Sequence, residues 1–229
     1  MVTTEDAPDP RPGFFGKVTS HGDFVARRLP ASFQRPWDEW LQAGLRESRA
    51  ALEASWLPTY LSSPIWRFAL APGVCGADGW AGLLMPSVDR VGRHFPLTLA
   101  APLPGPASPL DHAVHQHAWY DHLQELALSS LAEDFSLDDF DAALCALAPP
   151  QPANASSSLV YTIAQAALHG QAVWWTDGSP QVAPCVLVCR GMPPPAGFTA
   201  LLDGGWEGHG WQGANLTDAH CAVTTHQVR

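Results

Sequence analysis

Lysine is almost missing from this chain: Lys17 stands alone among 229 residues, and eleven arginines bring the basic total to 12. Nucleic-acid binding neutralises phosphates with clustered Lys and Arg, so no nucleic-acid partner is expected. Charge as a whole is scarce, 15% of residues against 46% hydrophobic, the reverse of a disordered composition. Long apolar runs are lacking too. Trp80 to Met85 and Val186 to Val188 stop far short of the roughly 20 residues a spanning helix needs, so no membrane span is expected. The first twelve residues are acidic and proline-rich without an apolar core, which predicts a flexible arm and no signal peptide. No close-spaced CxxC occurs among Cys75, Cys145, Cys185, Cys189 and Cys221. Cys185 and Cys189 share a face of one predicted strand about 13 Å apart, beyond the roughly 7 Å a disulfide spans. Reduced, buried thiols in a soluble, cytoplasmic protein are the expectation.

What is present is unevenly spread. Twenty-two acidic residues give a net charge of −10. Met1 to Arg93 holds ten acids and ten bases, whereas His94 to Arg229 holds twelve acids and only Arg190 and Arg229 as bases. Cations that could attract an acidic partner therefore lie in the first 93 residues.

Gly13 to Val18 reads as a strand, followed by a turn at Thr19 to Asp23. Trp37, Trp40, Leu41, Leu45, Ser48 and Leu52 recur at helical steps behind Pro36, read as an early helical position, and Pro58 should end or kink that helix. Ile65 to Ala71, Trp80 to Met85 and Phe95 to Ala100 are short apolar runs separated by Gly/Pro/Asp clusters, which predicts an antiparallel meander. Leu110 to Leu131 reads as one long helix and Ser136 to Leu147 as another with a Ser136 cap. Pro149 to Ser158 is a linker candidate, and Leu159 to His169 reads as a helix closed by Gly170. Ala172 to Thr176 and Val182 to Cys189 form a predicted hairpin around Asp177-Gly178-Ser179-Pro180, and Ala196 to Leu202 is a short helical piece. The order predicts an α+β fold, or α/β in looser usage: one globular unit with a mainly antiparallel or mixed sheet flanked by helices. Residues 13–211 form the domain, 1–12 the arm and 212–229 a C-terminal tail.

Chemical motifs are poor. His112, His115, His117 and His122 lack the i, i+4 spacing of helical metal ligands, which leaves a solvated face. Asp203-Gly204-Gly205 with His209-Gly210 bears a slight likeness to metal-dependent phosphatase motifs, without the further acids such a site needs. Ser20, His21 and Asp23 are triad residue types, but too close in sequence for His to bridge the other two; Asp23 capping the next segment is expected instead. Gly13 to Lys17 lacks the spacing of a phosphate-binding loop. No catalytic, cofactor or metal residue is assigned. The loop Ser87-Val88-Asp89-Arg90-Val91-Gly92-Arg93 admits two readings: Asp89 pairs locally with Arg90 or Arg93, or the loop recognises a partner.

Several stretches, in order, are similar to a known family. Gly13-Phe14-Phe15-Gly16-Lys17-Val18, Ser20-His21-Gly22-Asp23-Phe24-Val25 and Pro36-Trp37-Asp38-Glu39-Trp40-Leu41 resemble the opening of the TagF family of type VI secretion system-associated proteins. Ser63 to Phe68, Ala71 to Gly76, Met85 to Arg93 with Phe95-Pro96-Leu97, Val173 to Thr176 and Leu201-Leu202-Asp203 continue the likeness. It implies a bacterial, cytoplasmic regulator that represses type VI secretion post-translationally by binding a forkhead-associated scaffold protein. That scaffold is one a threonine kinase and phosphatase control. Some members carry a fused phosphatase domain, for which this chain has no room. Other readings are an enzyme of the same pathway, which would need Asp89, Asp203 and the histidines in one pocket, or a structural part of the secretion machine. If the first strand neighbours the meander, Lys17, His21, Asp23, Arg27, Arg28, Asp89, Arg90 and Arg93 become candidate partner-binding residues. Their cations would gather into one patch for an acidic or phosphorylated partner.

Overall fold

The structure, a computed structural model, describes residues 8–103, 109–150, 171–206, 209 and 211–215. Among these described residues, eight strands build one sheet: β1 (Gly13–Gly16), β2 (Val25–Arg27), β3 (Trp66–Leu70), β4 (Trp80–Met85), β5 (Leu97–Pro102), β6 (Gln171–Thr176), β7 (Cys185–Arg190) and β8 (Gln212–Asn215). Their order is β2-β1-β5-β4-β3-β6-β7-β8, and every pairing is antiparallel. The fold is α+β, with the sheet antiparallel throughout. Helices are α1 (Ala31–Leu52), α2 (Trp56–Ser62), α3 (Pro109–His115), α4 (His117–Ser129), α5 (Leu137–Ala146) and α6 (Thr199–Asp203), the last preceded by a 3-10 turn over Pro195–Phe198.

Helices cover both faces, which is why the middle strands read as unbroken apolar runs instead of alternating with polar residues. On one face Trp66, Phe68 and Leu70 of β3 meet Trp37, Trp40 and Leu41 of α1 and Phe198 and Leu201 before and within α6. On the other, Ala81, Leu83 and Met85 of β4 meet Tyr120 and Leu123 of α4 and Phe140 and Leu144 of α5. Trp37 is fully buried and its indole donates to Thr98 Oγ1 at 2.9 Å, so its polar atom is satisfied inside the core. Helix α1 lies so close to the 3-10 turn that a Cβ at Gly44 would sit 2.5 Å from Phe198 Cγ. Cys185 and Cys189 do share one face of β7, are buried and are free thiols, as is Cys75; Cys145 is half-buried, and Cys221 lies outside the described residues.

Several boundaries differ from expectation. Helix α1 starts five residues before Pro36, with Pro30 at its cap, so Pro36 sits inside the helix and forgoes one backbone bond. The helix stops at Glu53, whose φ of +46° breaks the path, and Pro58 lies in the first turns of α2, where its missing N–H costs little. The predicted helix 110–131 is two helices parted at Gln116, whose φ/ψ of −109°/28° leaves the helical region. Ser136 caps α5 as expected, accepting from the Asp139 amide. The predicted helix 159–169 lies outside the described residues. The tail expected at 212–229 is in part sheet, because β8 pairs with β7 from Gln212 to Asn215. The arm expected over 1–12 is anchored at its end: Pro12 is buried, and its carbonyl accepts from Arg28 Nε at 2.8 Å.

Candidate functional site

Strand β1 pairs with β5, placing the β1–β2 turn and the β4–β5 loop at the same end of the sheet. Gly16 permits this approach. Its φ is +142°, and a Cβ there would overlap the Pro96 carbonyl oxygen.

Asp89 joins the two loops. Its side chain is fully buried and takes four donors. Oδ2 accepts from Lys17 Nζ at 2.6 Å and Arg93 Nε at 2.7 Å; Oδ1 accepts from the amides of Val91 at 3.0 Å and Arg93 at 2.8 Å. Burial alone would raise this carboxyl's pKa, but the Lys17 and Arg93 bonds outweigh it and hold Asp89 well below the usual carboxylate range. The loops are also stitched directly. The Arg90 amide donates to the His21 carbonyl at 2.9 Å, Arg93 Nη2 donates to the Gly22 carbonyl, and Ser87 Oγ donates to the Lys17 carbonyl at 2.8 Å. From α2, the Tyr60 hydroxyl donates to the Ser87 carbonyl at 2.8 Å and accepts from its amide at 3.0 Å. Burial raises the Tyr60 pKa further above its ordinary value, so the hydroxyl keeps its proton.

The single cationic patch is therefore corrected. Lys17 is buried against Asp89, with Nζ 5.1 Å from the Phe24 ring centroid, and is no surface charge. Arg27 and Arg28 stand at the opposite end of the β1–β2 hairpin, where both pair with Asp141 of α5. Arg93 is half-exposed but bound into the loop. Of the expected cations only Arg90 is both exposed and without an ion pair among the described residues. Asp23 makes no capping bond; its carboxylate is solvated and reaches Arg93 at 3.7 Å. His21 meets Ser20 Oγ at 2.8 Å but forms no hydrogen bond with Asp23, so no triad is assembled.

Of the two readings of the β4–β5 loop, local pairing is seen, between Asp89 and Arg93. The tip they brace presents Arg90 and Val91, the latter 65% exposed; Phe24, on the adjoining β1–β2 turn, is 49% exposed. Phe24 is an anchor that charge-based reasoning passed over. It sits in the turn-rich stretch after Asp23, stacked at 5.6 Å on Phe15 and edge-on at 4.7 Å to Phe95. Of the exposed side chains on these two loops, Arg90 is of a type enriched at protein-interface hot spots.

The other candidates do not join this site. Asp203 ends α6 and accepts from the Gly205 amide at 2.9 Å. His115, His117 and His122 are exposed, whereas His112, expected on a solvated face, is fully buried with neither ring nitrogen partnered. Burial lowers its pKa to about 4, so it stays neutral at pH 7. Among the described residues, no three His, Cys, Asp or Glu side chains converge as a metal set. No described helix is long and apolar enough to cross a membrane.

Comparison with known proteins agrees with the stretches quoted above. No curated protein matches this chain. The crystal structure of PA0076 from Pseudomonas aeruginosa PAO1 is 38% identical, covers 84% of this chain and 94% of that one, and superposes with a TM-score of 0.78. Residues 13–147 match the model of the TagF N-terminal domain, type VI secretion system-associated. That match takes in more than half of the chain, both loops of the site included: the chain belongs to the TagF family of type VI secretion-associated proteins.

Proposed function

We propose that this protein is a non-enzymatic, cytoplasmic regulator that represses type VI secretion post-translationally by binding a forkhead-associated scaffold protein. The observation that carries this reading is the Asp89 arrangement. A carboxylate with all its bonds committed, and its pKa lowered by cations, has no proton to give and no free lone pair for a substrate. It serves to brace a tip whose Phe24, Arg90 and Val91 face solvent. Family membership supplies the secretion context. Deleting the gene tests it. Secretion of the system's tube protein should rise, and purified chain should capture the scaffold. Secretion that is lost on deletion points to a structural part of the machine, and unchanged secretion without capture overturns the proposal.

A further inference from the structure

Beside the β4–β5 loop, an open, shallow cleft of about 360 Å³ runs between α1 and the loop, lined by Gln42, Leu45, Arg46, Arg49, His94 and Phe95. Arg46 and Arg49 are three residues apart and so share a helix face. Neither forms an ion pair among the described residues, although Glu39, Glu47 and Glu53 lie on or just beyond the same helix. Arg11, Lys17, Arg27, Arg28, Arg67 and Arg93 hold carboxylates, whereas Arg35, Arg90 and Arg190 are likewise without an ion pair among the described residues; Arg46 and Arg49 differ in standing side by side on one cleft. On a chain of net charge −10, two neighbouring uncompensated guanidiniums mark a place where positive charge is kept free.

The cleft is also built. The Arg49 guanidinium lies 4.3 Å from the Trp56 ring centroid, a contact that places its planar fork. Trp56 is fixed in turn: its indole donates to Ser48 Oγ at 2.9 Å, and its ring stacks on Tyr60 at 4.9 Å. The His94 imidazole stands edge-on to both rings, 5.6 Å from Trp56 and 5.7 Å from Tyr60. Tyr60 is tied to Ser87 as described, so one aromatic stack holds both Arg49 and His94. Leu45 and Phe95 are buried and give the cleft an apolar floor beneath the exposed guanidiniums.

We propose that this cleft binds a phosphate monoester, with Arg46 and Arg49 as paired forks, His94 as a third donor and Gln42 as a neutral one. A phosphate monoester brings nearly two negative charges and three acceptor oxygens, enough to engage all three basic groups. A carboxylate has one charge and two oxygens and leaves one cation uncompensated. Neither Arg90 nor Val91 lines the cleft, although its wall residue Phe95 packs on Phe24, and the test does not depend on the scaffold being the partner.

The experiment is an NMR titration of the full chain with inorganic phosphate and with a glycine-flanked phosphoserine peptide, using a glutamate peptide at matched ionic strength as reference. Saturable shifts confined to amides near Gln42 to Arg49 and His94–Phe95 are expected, and Arg46→Glu should weaken binding by about tenfold or more. Arg49→Lys keeps the charge but loses the fork, and should also weaken it. Arg35→Glu alters another unpaired arginine of α1, outside the cleft, and should change nothing. His94 gives a second readout. Burial, then Arg49, with Lys17 adding to them and Asp89 opposing, hold its pKa below the ordinary value, and bound phosphate should raise it. Tighter binding of the peptide than of free phosphate assigns a phosphorylated protein; equal binding assigns a small phosphate ester. Unsaturable shifts, equal loss in the Arg35 variant, or a glutamate peptide that binds as well as phosphoserine overturns the proposal.

Discussion

Asp89 and His112 are both buried, both titratable and both lowered in pKa, yet they are opposite kinds of site. Asp89 has four donors and two cations around it, so its charge is stabilised. His112 has no partner for either nitrogen, so burial forbids its charge. The first belongs to a loop end where polar groups are used to fix geometry. The second sits in α3 against β3 and β6 as a neutral filler. The difference teaches that burial alone says little about function; what surrounds the buried group decides whether it organises a surface or merely occupies a core.

The two should separate on acidification. Below 6.5 the unfolded chain protonates His112 while the folded chain resists until about pH 4, so stability falls as pH drops through that window. Asp89 acts lower: its contribution is fully present above 3.8 and is lost as pH falls through its folded value. A urea-unfolding series against pH should show both segments in order.

Substitutions break the comparison more sharply. Asp89→Ala should have the largest effect, stranding Lys17 in the interior and releasing both loops. Its melting temperature should fall, and hydrogen exchange at the Val91 and Arg93 amides should accelerate. His112→Leu should go the other way, gaining about 1–3 kcal/mol by removing two unsatisfied nitrogens and flattening the pH dependence between 6.5 and 4, with His94 keeping its smaller share. Arg93→Glu should lower stability because it places a second carboxylate beside Asp89. Arg90→Glu, three residues away, should stay within about 0.5 kcal/mol of the parent in thermal unfolding, since no carboxylate depends on it.

Much of the fold was legible because it rests on local pattern. Apolar runs parted by Gly/Pro/Asp clusters located the meander, and Asp177 to Pro180 located the β6–β7 hairpin. What stayed hidden is set by contacts distant in sequence. The break at Glu53 depends on a positive φ at a residue type that gives no turn signal. Strand β8 is short and mostly polar, and forms by pairing with β7 at the sheet edge. At the site, the sequence predicts two loops meeting at one sheet end, as the β1–β5 pairing places them, but not the fate of their charges. Lys17 lies 72 residues from Asp89, so its burial cannot be read from its neighbours. Arg27 and Arg28 follow the same turn as His21, yet the hairpin carries them to its other end, beside Asp141. Phe24 carries no charge and follows a turn-rich stretch, so charge patterning does not mark it.

In the proposed function, Phe24 of the β1–β2 turn and Arg90 and Val91 of the β4–β5 tip engage a protein partner. Calorimetric titration of the forkhead-associated scaffold with the full chain and with an Arg90→Glu/Val91→Asp double variant tests it most directly, with melting temperatures measured alongside. Parent binding that weakens by about tenfold or more in the variant, at an unchanged melting temperature, is the predicted result. A variant that melts like the parent and binds the scaffold equally well would contradict it.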